Sequence, residues 1–182
     1  MIRRLLASIL LLLAAAVPRG ADAQDYTWTV TLLGGVGGSL DEGGGADVGG
    51  QVAAALQLER LQSVWVRGGQ LGFDTGGDAG SLADAEVTYL DFGGEYQFHE
   101  GYYESGLFLG LGAYRLEGTE LGLGGVPRDV VDDTVLGLVL GASGEFKFSP
   151  RFAFLVEISG HVLDSDAAGV LGMGHAGFAL HF

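Results

Sequence analysis

Glu157, Ser159 and His161 stand at positions i, i+2 and i+4 of an alternating segment. An acid, a nucleophile and a base on one face are the parts of acyl-transfer chemistry. The spacing speaks against it. Side chains two apart on a strand stand about 7 Å apart, whereas a nucleophile and its base must come within about 3 Å, so the trio predicts a histidine that needs other partners, and no catalytic residues. His99, His161, His175 and His181 provide no converging ligand set, and neither a metal nor a cofactor is expected. The chain contains no cysteine, which removes thiolate catalysis, thiolate metal ligation and disulfides together.

A second set of ionisable residues is more coherent. Arg67, Asp91, Glu95, Glu145, Lys147, Glu157 and His161 all fall on the face opposite the apolar aromatic residues of their segments. If that face lines a narrow bore, they predict an ion-paired network that plugs it and locks strand register. Glu145 and Glu157 come out as diagonal neighbours, so at least one needs a proton, or a cation from across the bore, Arg67 or Lys147. A hydrated polar bore without specific pairs is the alternative. Gly93, Gly106, Gly110, Gly137, Gly141 and Gly177 share the inward face, where small residues leave room for Trp65, Phe108 and Tyr114.

The elements that must hold these side chains show as period-two alternation. Tyr26, Trp28, Val30 and Leu32 alternate with threonines; Phe152, Phe154, Val156 and Ile158 alternate with Ala153, Leu155, Glu157 and Ser159; Phe178, Leu180 and Phe182 alternate with Gly177, Ala179 and His181. About eight such segments run along the chain, each near the 9 to 11 residues of a tilted strand that crosses a bilayer. Their connections alternate short and long, the mark of a meander. Arg60-Leu61-Gln62, Glu100-Gly101 and Ser149-Pro150-Arg151 are short, while 38–49, 74–85, 117–133 and 164–170 are long.

Residues paired across a turn share a face, so each short turn predicts a register. A two-residue turn at Glu100-Gly101 pairs Phe98 with Tyr103, Phe92 with Leu109 and Leu90 with Leu111. The turn at 149–151 pairs Phe148 with Phe152 and Phe146 with Phe154, and the turn at 60–62 pairs Leu58 with Val64 and Leu56 with Val66, sending Gln57, Glu59, Trp65 and Arg67 to the other side. Leu71 and Phe73 have the wrong parity for this face. Either a bulge at Gly68-Gly69 or an inward Leu71 reconciles them.

Composition narrows the class. Mean hydropathy is +0.33 and the apolar fraction 48%, yet 34 of 182 residues are glycine and no run past residue 23 has the length of a spanning helix. A net charge of −14 and a pI near 4.3 exclude nucleic-acid binding through a basic patch. Met1-Ile2-Arg3-Arg4, the uncharged stretch Leu5 to Val17 and the small-x-small site Ala21-Asp22-Ala23 predict a secretory leader over 1–23, leaving 24–182 as one domain. Phe98, Tyr103, Phe148, Phe152 and Phe182 sit at strand ends beside the short turns, where an aromatic girdle meets a membrane interface; a soluble lipid-binding barrel would bury its aromatics mid-strand.

The leader, the eight alternating strands and the terminal Gly177-Phe178-Ala179-Leu180-His181-Phe182 resemble the outer-membrane β-barrel domain family of small bacterial barrels. The resemblance covers nearly all of 24–182. It implies an all-β, eight-stranded antiparallel up-and-down transmembrane barrel in the cell outer membrane, set in lipid and lipopolysaccharide. It also implies that Phe178, Leu180 and Phe182 signal to the barrel-assembly machinery, that short turns face the periplasm and that long loops face out. Lipid A deacylase barrels carry a His-x-Ser pattern; here Ser159 precedes His161 and faces the bore, so catalysis does not carry over. The expected role is structural or loop-presenting, with a plugged lumen; a narrow channel and a soluble secreted lipid-binding barrel are the alternatives. The outer loops are acidic, with Asp41, Glu42, Asp47, Asp74, Asp78, Asp84, Asp129, Asp132, Asp133, Asp164 and Asp166, as solvated loops or as weak divalent-cation sites.

Overall fold

The computed structural model describes residues 28–40, 45–59, 61–74, 82–98, 101–123, 125–165 and 168–182. The leader 1–23, Tyr26, Arg60, His99, Glu100, Asp41, Glu42, Asp78, Asp166 and the side chains of Glu59 and Asp74 lie outside the described residues. Eight strands follow in chain order: β1 (Trp28–Ser39), β2 (Gly45–Glu59), β3 (Gln62–Asp74), β4 (Leu82–Gln97), β5 (Tyr103–Leu121), β6 (Pro127–Lys147), β7 (Phe152–Leu163) and β8 (Val170–His181). Each pairs antiparallel with the next, and β8 closes on β1. Closure leaves no free edge over the height shared by all eight strands, so every backbone group there has a partner, as an apolar surrounding demands.

Period-two alternation sorts the side chains into two environments. Leu32, Leu90, Phe92, Leu107, Leu109, Leu111, Leu138, Leu140, Ile158 and Phe178 face outward and are exposed, while Trp65, Phe108 and Tyr114 face inward and are buried. On β6 the outward apolar run extends from Leu136 to Phe146, which at about 3.4 Å per residue and a tilt near 45° covers about 25 Å, the height of a membrane-barrel belt. Its upper limit is sharp. Gln70, Thr88, Arg115 and Thr134 are successive register partners across β3 to β6 and form the first polar row of the outer face.

The short turns keep the predicted faces and change two of the three registers. At 149–151 the expectation holds: Phe146 lies opposite Phe154, and the Phe148 N–H donates to the Phe152 carbonyl at 3.2 Å. At 60–62, Leu56 lies opposite Val64 and Ala54 opposite Val66, because the ladder steps from Glu59/Gln62 to Gln57/Ser63 and Leu58 is bulged out. At the next turn Phe92 faces Leu111 instead of Leu109, and the Phe98 N–H donates to the Ser105 carbonyl at 2.8 Å. Gly101 takes φ +133°, and the Tyr102 carbonyl already accepts from the Lys147 N–H, so the chain moves sideways to β6 before it pairs back onto β4. Both shifts are by two residues, and a two-residue shift leaves every side chain on its face.

One open choice is settled and two further expectations change. The register of β3 on β4 runs unbroken through Gly68-Gly69, so there is no bulge at the glycine pair; the irregularity lies across the ladder in β2, between Ala46 and Gly49. Leu71 and Phe73 are therefore inward, 1% and 2% exposed. Strands β4, β5 and β6 are 16, 19 and 21 residues long, well over the 9 to 11 expected, and most of the segment read as a loop at 117–133 is a two-stranded continuation of the wall.

Candidate functional site in the barrel lumen

The lumen has two halves. Toward the long connections, Leu71, Phe73, Leu82, Val87, Leu116, Leu163, Leu171 and Met173 pack with Tyr89 and Tyr114 into one buried apolar cluster. This corrects the expectation of a bore that is polar throughout: the closing material at that end is hydrocarbon, set there by inward-pointing residues on β3, β4, β5, β7 and β8. Toward the short turns the lumen is polar. A cavity of about 90 Å³ lies there, lined among others by Gln57, Ser63, Glu95, Glu104, Ser143 and Lys147.

Between the halves runs a chain of buried hydrogen bonds. Arg67 Nη2 pairs with Glu157 Oε1 at 3.1 Å, with both side chains more than nine-tenths buried. The guanidinium is stacked between Trp65 and Phe108, 4.2 and 3.9 Å from the ring centroids, which favours a weakly hydrated planar cation such as arginine. Glu157 Oε2 accepts from Gln51 Nε2 at 2.6 Å, and Gln51 Oε1 accepts from the Tyr89 hydroxyl at 3.0 Å. Tyr89 stacks on Tyr114, centroid to centroid 6.0 Å. The Tyr114 hydroxyl is 2.9 Å from His161 Nδ1 and adjoins the Asp91 carboxylate, and His161 Nδ1 is 3.8 Å from Asp91 Oδ2. Given to one of these acceptors, the single tyrosine proton is withheld from the other.

His161 Nε2 and Ser159 Oγ are 3.0 Å apart, which overturns the expectation that the i, i+2 spacing keeps them separate. The Cα positions are as distant as a strand requires; the imidazole lies along the strand and spans the gap. Ser159, His161 and Asp91 thus have the outline of a nucleophile, a base and an orienting acid. Glu157, the acid of the expected trio, is instead held by Arg67 and Gln51. The cavity is lined by Glu157 and does not include Ser159, so among the described cavities none brings a substrate to the hydroxyl.

The other residues of the expected network form a separate group nearer the short turns. Lys147 Nζ is 2.5 Å from Glu104 Oε1 on β5 and 4.0 Å from Glu145 Oε1 two residues back on its own strand; it reaches a neighbouring strand, not across the bore. Glu145 Oε1 is also 2.9 Å from His181 Nε2, and His181 Nδ1 meets Thr29 Oγ1 at 3.0 Å. Glu95 accepts from the Ser143 hydroxyl. Gln51, Tyr89 and Ser143 were missed by reasoning from charged residues, and Glu104 was passed over although it is charged; their inward parity was the available signal for all four. Four of the six glycines make room for rings, Gly93 and Gly110 for Trp65, Gly137 for Tyr114 and Gly141 for Phe108, while Gly106 abuts Glu95 and Gly177 abuts Leu33; a Cβ on Gly110 would come 2.5 Å from Trp65, and one on Gly141 2.7 Å from Phe108 Cε2 and closer still to its Cζ. Among the described residues no group of three His, Cys, Asp or Glu side chains could hold a metal ion.

Outside the lumen, Phe98, Tyr103, Phe148 and Phe152 are exposed at the short-turn end, Phe178 is exposed beside Phe154, and Leu180 and Phe182 are half-buried on the same outer face. From the first polar row, Arg115 holds Asp132 above it through two hydrogen bonds of 2.8 and 2.9 Å, which keeps the Asp132 carboxyl below its ordinary range and the guanidinium above its own.

No family model matches the chain, and no curated protein matches it. Solved structures do. The chain is similar to Neisserial surface protein A, with 15% identity over 90% of this chain and 100% of that one and a TM-score of 0.67. It is also similar to Ail, the attachment invasion locus protein of Yersinia pestis, with 18% identity, 85% and 98% coverage and a TM-score of 0.55. For the outer membrane protein OprG from Pseudomonas aeruginosa the figures are 9% identity, 89% and 99% coverage and 0.61. The shared feature is the fold, a closed eight-stranded antiparallel barrel.

Proposed function

We propose that this chain is an outer-membrane β-barrel with a sealed lumen and a structural or loop-presenting role in the cell envelope, without catalytic turnover. The observation that carries this is the double use of hydrocarbon: a belt of exposed apolar side chains about 25 Å high outside, and a buried apolar cluster that fills the long-connection end of the lumen inside. A belt of that height has no stable state in water, and a bore blocked by packed leucines offers no continuous polar path. Residues 1–23 serve as the export leader and 24–182 as the barrel. Phe178, Leu180 and Phe182 address the barrel-assembly machinery, and Phe98, Tyr103, Phe148 and Phe152 anchor the periplasmic interface in contact with outer-membrane lipid; lipopolysaccharide surrounds the opposite end. Arg67, Asp91, Glu95, Glu145, Lys147, Glu157 and His161 act as internal cross-links, and the Ser159–His161 contact is one more of these. Membrane fractionation of cells expressing the full chain, with heat-modifiable gel mobility and planar-bilayer conductance of the refolded barrel, tests it. Outer-membrane recovery, a mobility shift and no discrete conductance are expected. A protein that stays monomeric without detergent, or steady single-channel currents, would overturn it.

A further inference from the structure

Above the height shared by all eight strands, β6 has a long open side among the described residues. Strand β6 pairs with β5 from Pro127 to Phe146, but its pairing with β7 begins only at Gly137, opposite Leu163, with the Asp164 N–H donating to the Leu136 carbonyl at 2.9 Å. From Val135 back to Pro127, β6 has a neighbour on one side only among the described residues. Antiparallel ladders send the groups of alternate residues to opposite sides. The Phe148 N–H and the Leu136 carbonyl go to β7 and the Lys147 N–H goes to β5, so even-numbered residues of β6 present their backbone away from β5. The N–H and C=O groups of Val130, Asp132 and Thr134 therefore point to the open side, at and above the first polar row and outside the belt.

The chemistry of this edge selects its occupant. Val130 is 84% exposed, and Asp129 before it and Asp132 and Asp133 after it are exposed on both faces. The two cations of the extension are already held, Arg115 by Asp132 and Glu117 and Arg128 by Glu120 and Asp129, so carboxylates dominate what a newcomer meets. A second copy of this strand laid on the edge would bring aspartates against aspartates, and charged residues on an edge oppose that pairing.

We infer that the β6 edge from Asp129 to Thr134 is a strand-addition site for an extended basic segment of a partner protein, with basic side chains opposite Asp132 and Asp133 and apolar ones opposite Val130 and Val131. Main-chain bonds to Val130, Asp132 and Thr134 supply the affinity, and the side chains on the two faces supply the choice. This rests on the long-connection end lying outside the membrane, which heat-modifiable mobility and fractionation test separately.

The test uses the full-length barrel in detergent micelles and a synthetic peptide, Thr-Thr-Lys-Lys-Val-Val-Lys-Thr, with a glutamate-for-lysine counterpart and a version N-methylated on its bonding edge. Amide exchange at Val130, Asp132 and Thr134 is expected to slow about tenfold or more with the lysine peptide. The effect should weaken as salt is raised and vanish with the other two peptides. Val130→Pro removes one edge N–H without touching the bonds to β5, and it should abolish the protection while the heat-modifiable mobility is kept. Equal binding by the N-methylated peptide would leave charge attraction alone, equal binding by the glutamate peptide would remove the selectivity, and concentration-dependent protection without peptide would mean self-pairing. Each would overturn the inference, as would unchanged exchange.

Discussion

The two halves of the lumen are built on the same eight strands and the same inward parity, yet one is closed by hydrocarbon and the other is laced by charge. At the long-connection end Leu71, Val87, Leu116 and Leu171 meet from β3, β4, β5 and β8, and no polar atom needs a partner among them. From mid-lumen to the short-turn end the ionisable side chains depend on named partners: Arg67 on Glu157, Lys147 on Glu104, and Glu145 on Lys147 and the His181 ring nitrogen. The difference teaches how a small barrel divides its work. The apolar half seals without geometric precision, while the polar half is sensitive to every missing partner and so fixes which strand lies opposite which.

The largest way to break this comparison is to remove one member of the buried pair. Glu157→Leu leaves the Arg67 guanidinium charged and unpaired, and should lower the unfolding free energy of the micelle-held barrel by roughly 3–5 kcal/mol. Arg67→Met combined with Glu157→Leu should recover a large part of that loss. Urea unfolding followed by the fluorescence of Trp65, which stacks on Arg67, would report both. A double variant as unstable as the single one would mean that Glu157 is held by Gln51 and the surrounding packing more than by Arg67.

The apolar half should respond in another manner. Leu116→Ala opens a cavity in the cluster and should cost roughly 3 kcal/mol, with no partner substitution that restores it. Smaller again is the effect of crowding at the ring seats: Gly110→Ala pushes a methyl group against Trp65 and the Phe92 carbonyl, about 2 kcal/mol of overpacking, and should shift the tryptophan emission of the folded state. An unchanged spectrum would show that the ring moves freely, against the close fit seen between Trp65, Gly93 and Gly110.

How much of this was legible beforehand differs between the halves for a physical reason. Parity across turns is unaffected by a two-residue slip, so the faces of Phe92, Leu109 and Leu111 were readable while their partners were not. The same alternation identified Arg67 and Glu157 as inward. Leu71 and Phe73 were ambiguous because an apolar residue facing lipid and one facing an apolar plug obey the same pattern; only their burial, fixed by the unbroken β3–β4 register, separates the two. The Ser159–His161 contact was misjudged because Cα spacing was used in place of side-chain reach, and an imidazole is long enough to lie along its strand. The length of β5 and β6 was hidden by their own charge: Glu117, Asp129, Asp132 and Asp133 read as loop, although they continue the alternation above the membrane.

That continuation gives the smallest expected effect and the cleanest contrast with the lumen. Arg115 and Asp132 form a two-point ion pair, as Arg67 and Glu157 form a buried one, but both lie in solvent, where screening and side-chain freedom cancel most of the gain. Arg115→Met should leave the urea midpoint unchanged. Its effect should appear in titration instead: the Asp132 carboxyl, held below its ordinary range by the guanidinium hydrogen bonds, should titrate at a higher pH in the variant, as followed by carboxyl carbon resonances. The sign of the coupling follows. A lowered carboxylate contributes stability above its unfolded-state value and loses it as the pH falls through its folded one, so the wild-type extension should loosen only in strong acid while the variant shows no such acid step. An unmoved Asp132 titration would mean that the Arg115 bonds are not formed in solution, and that the extension is held by its ladder alone.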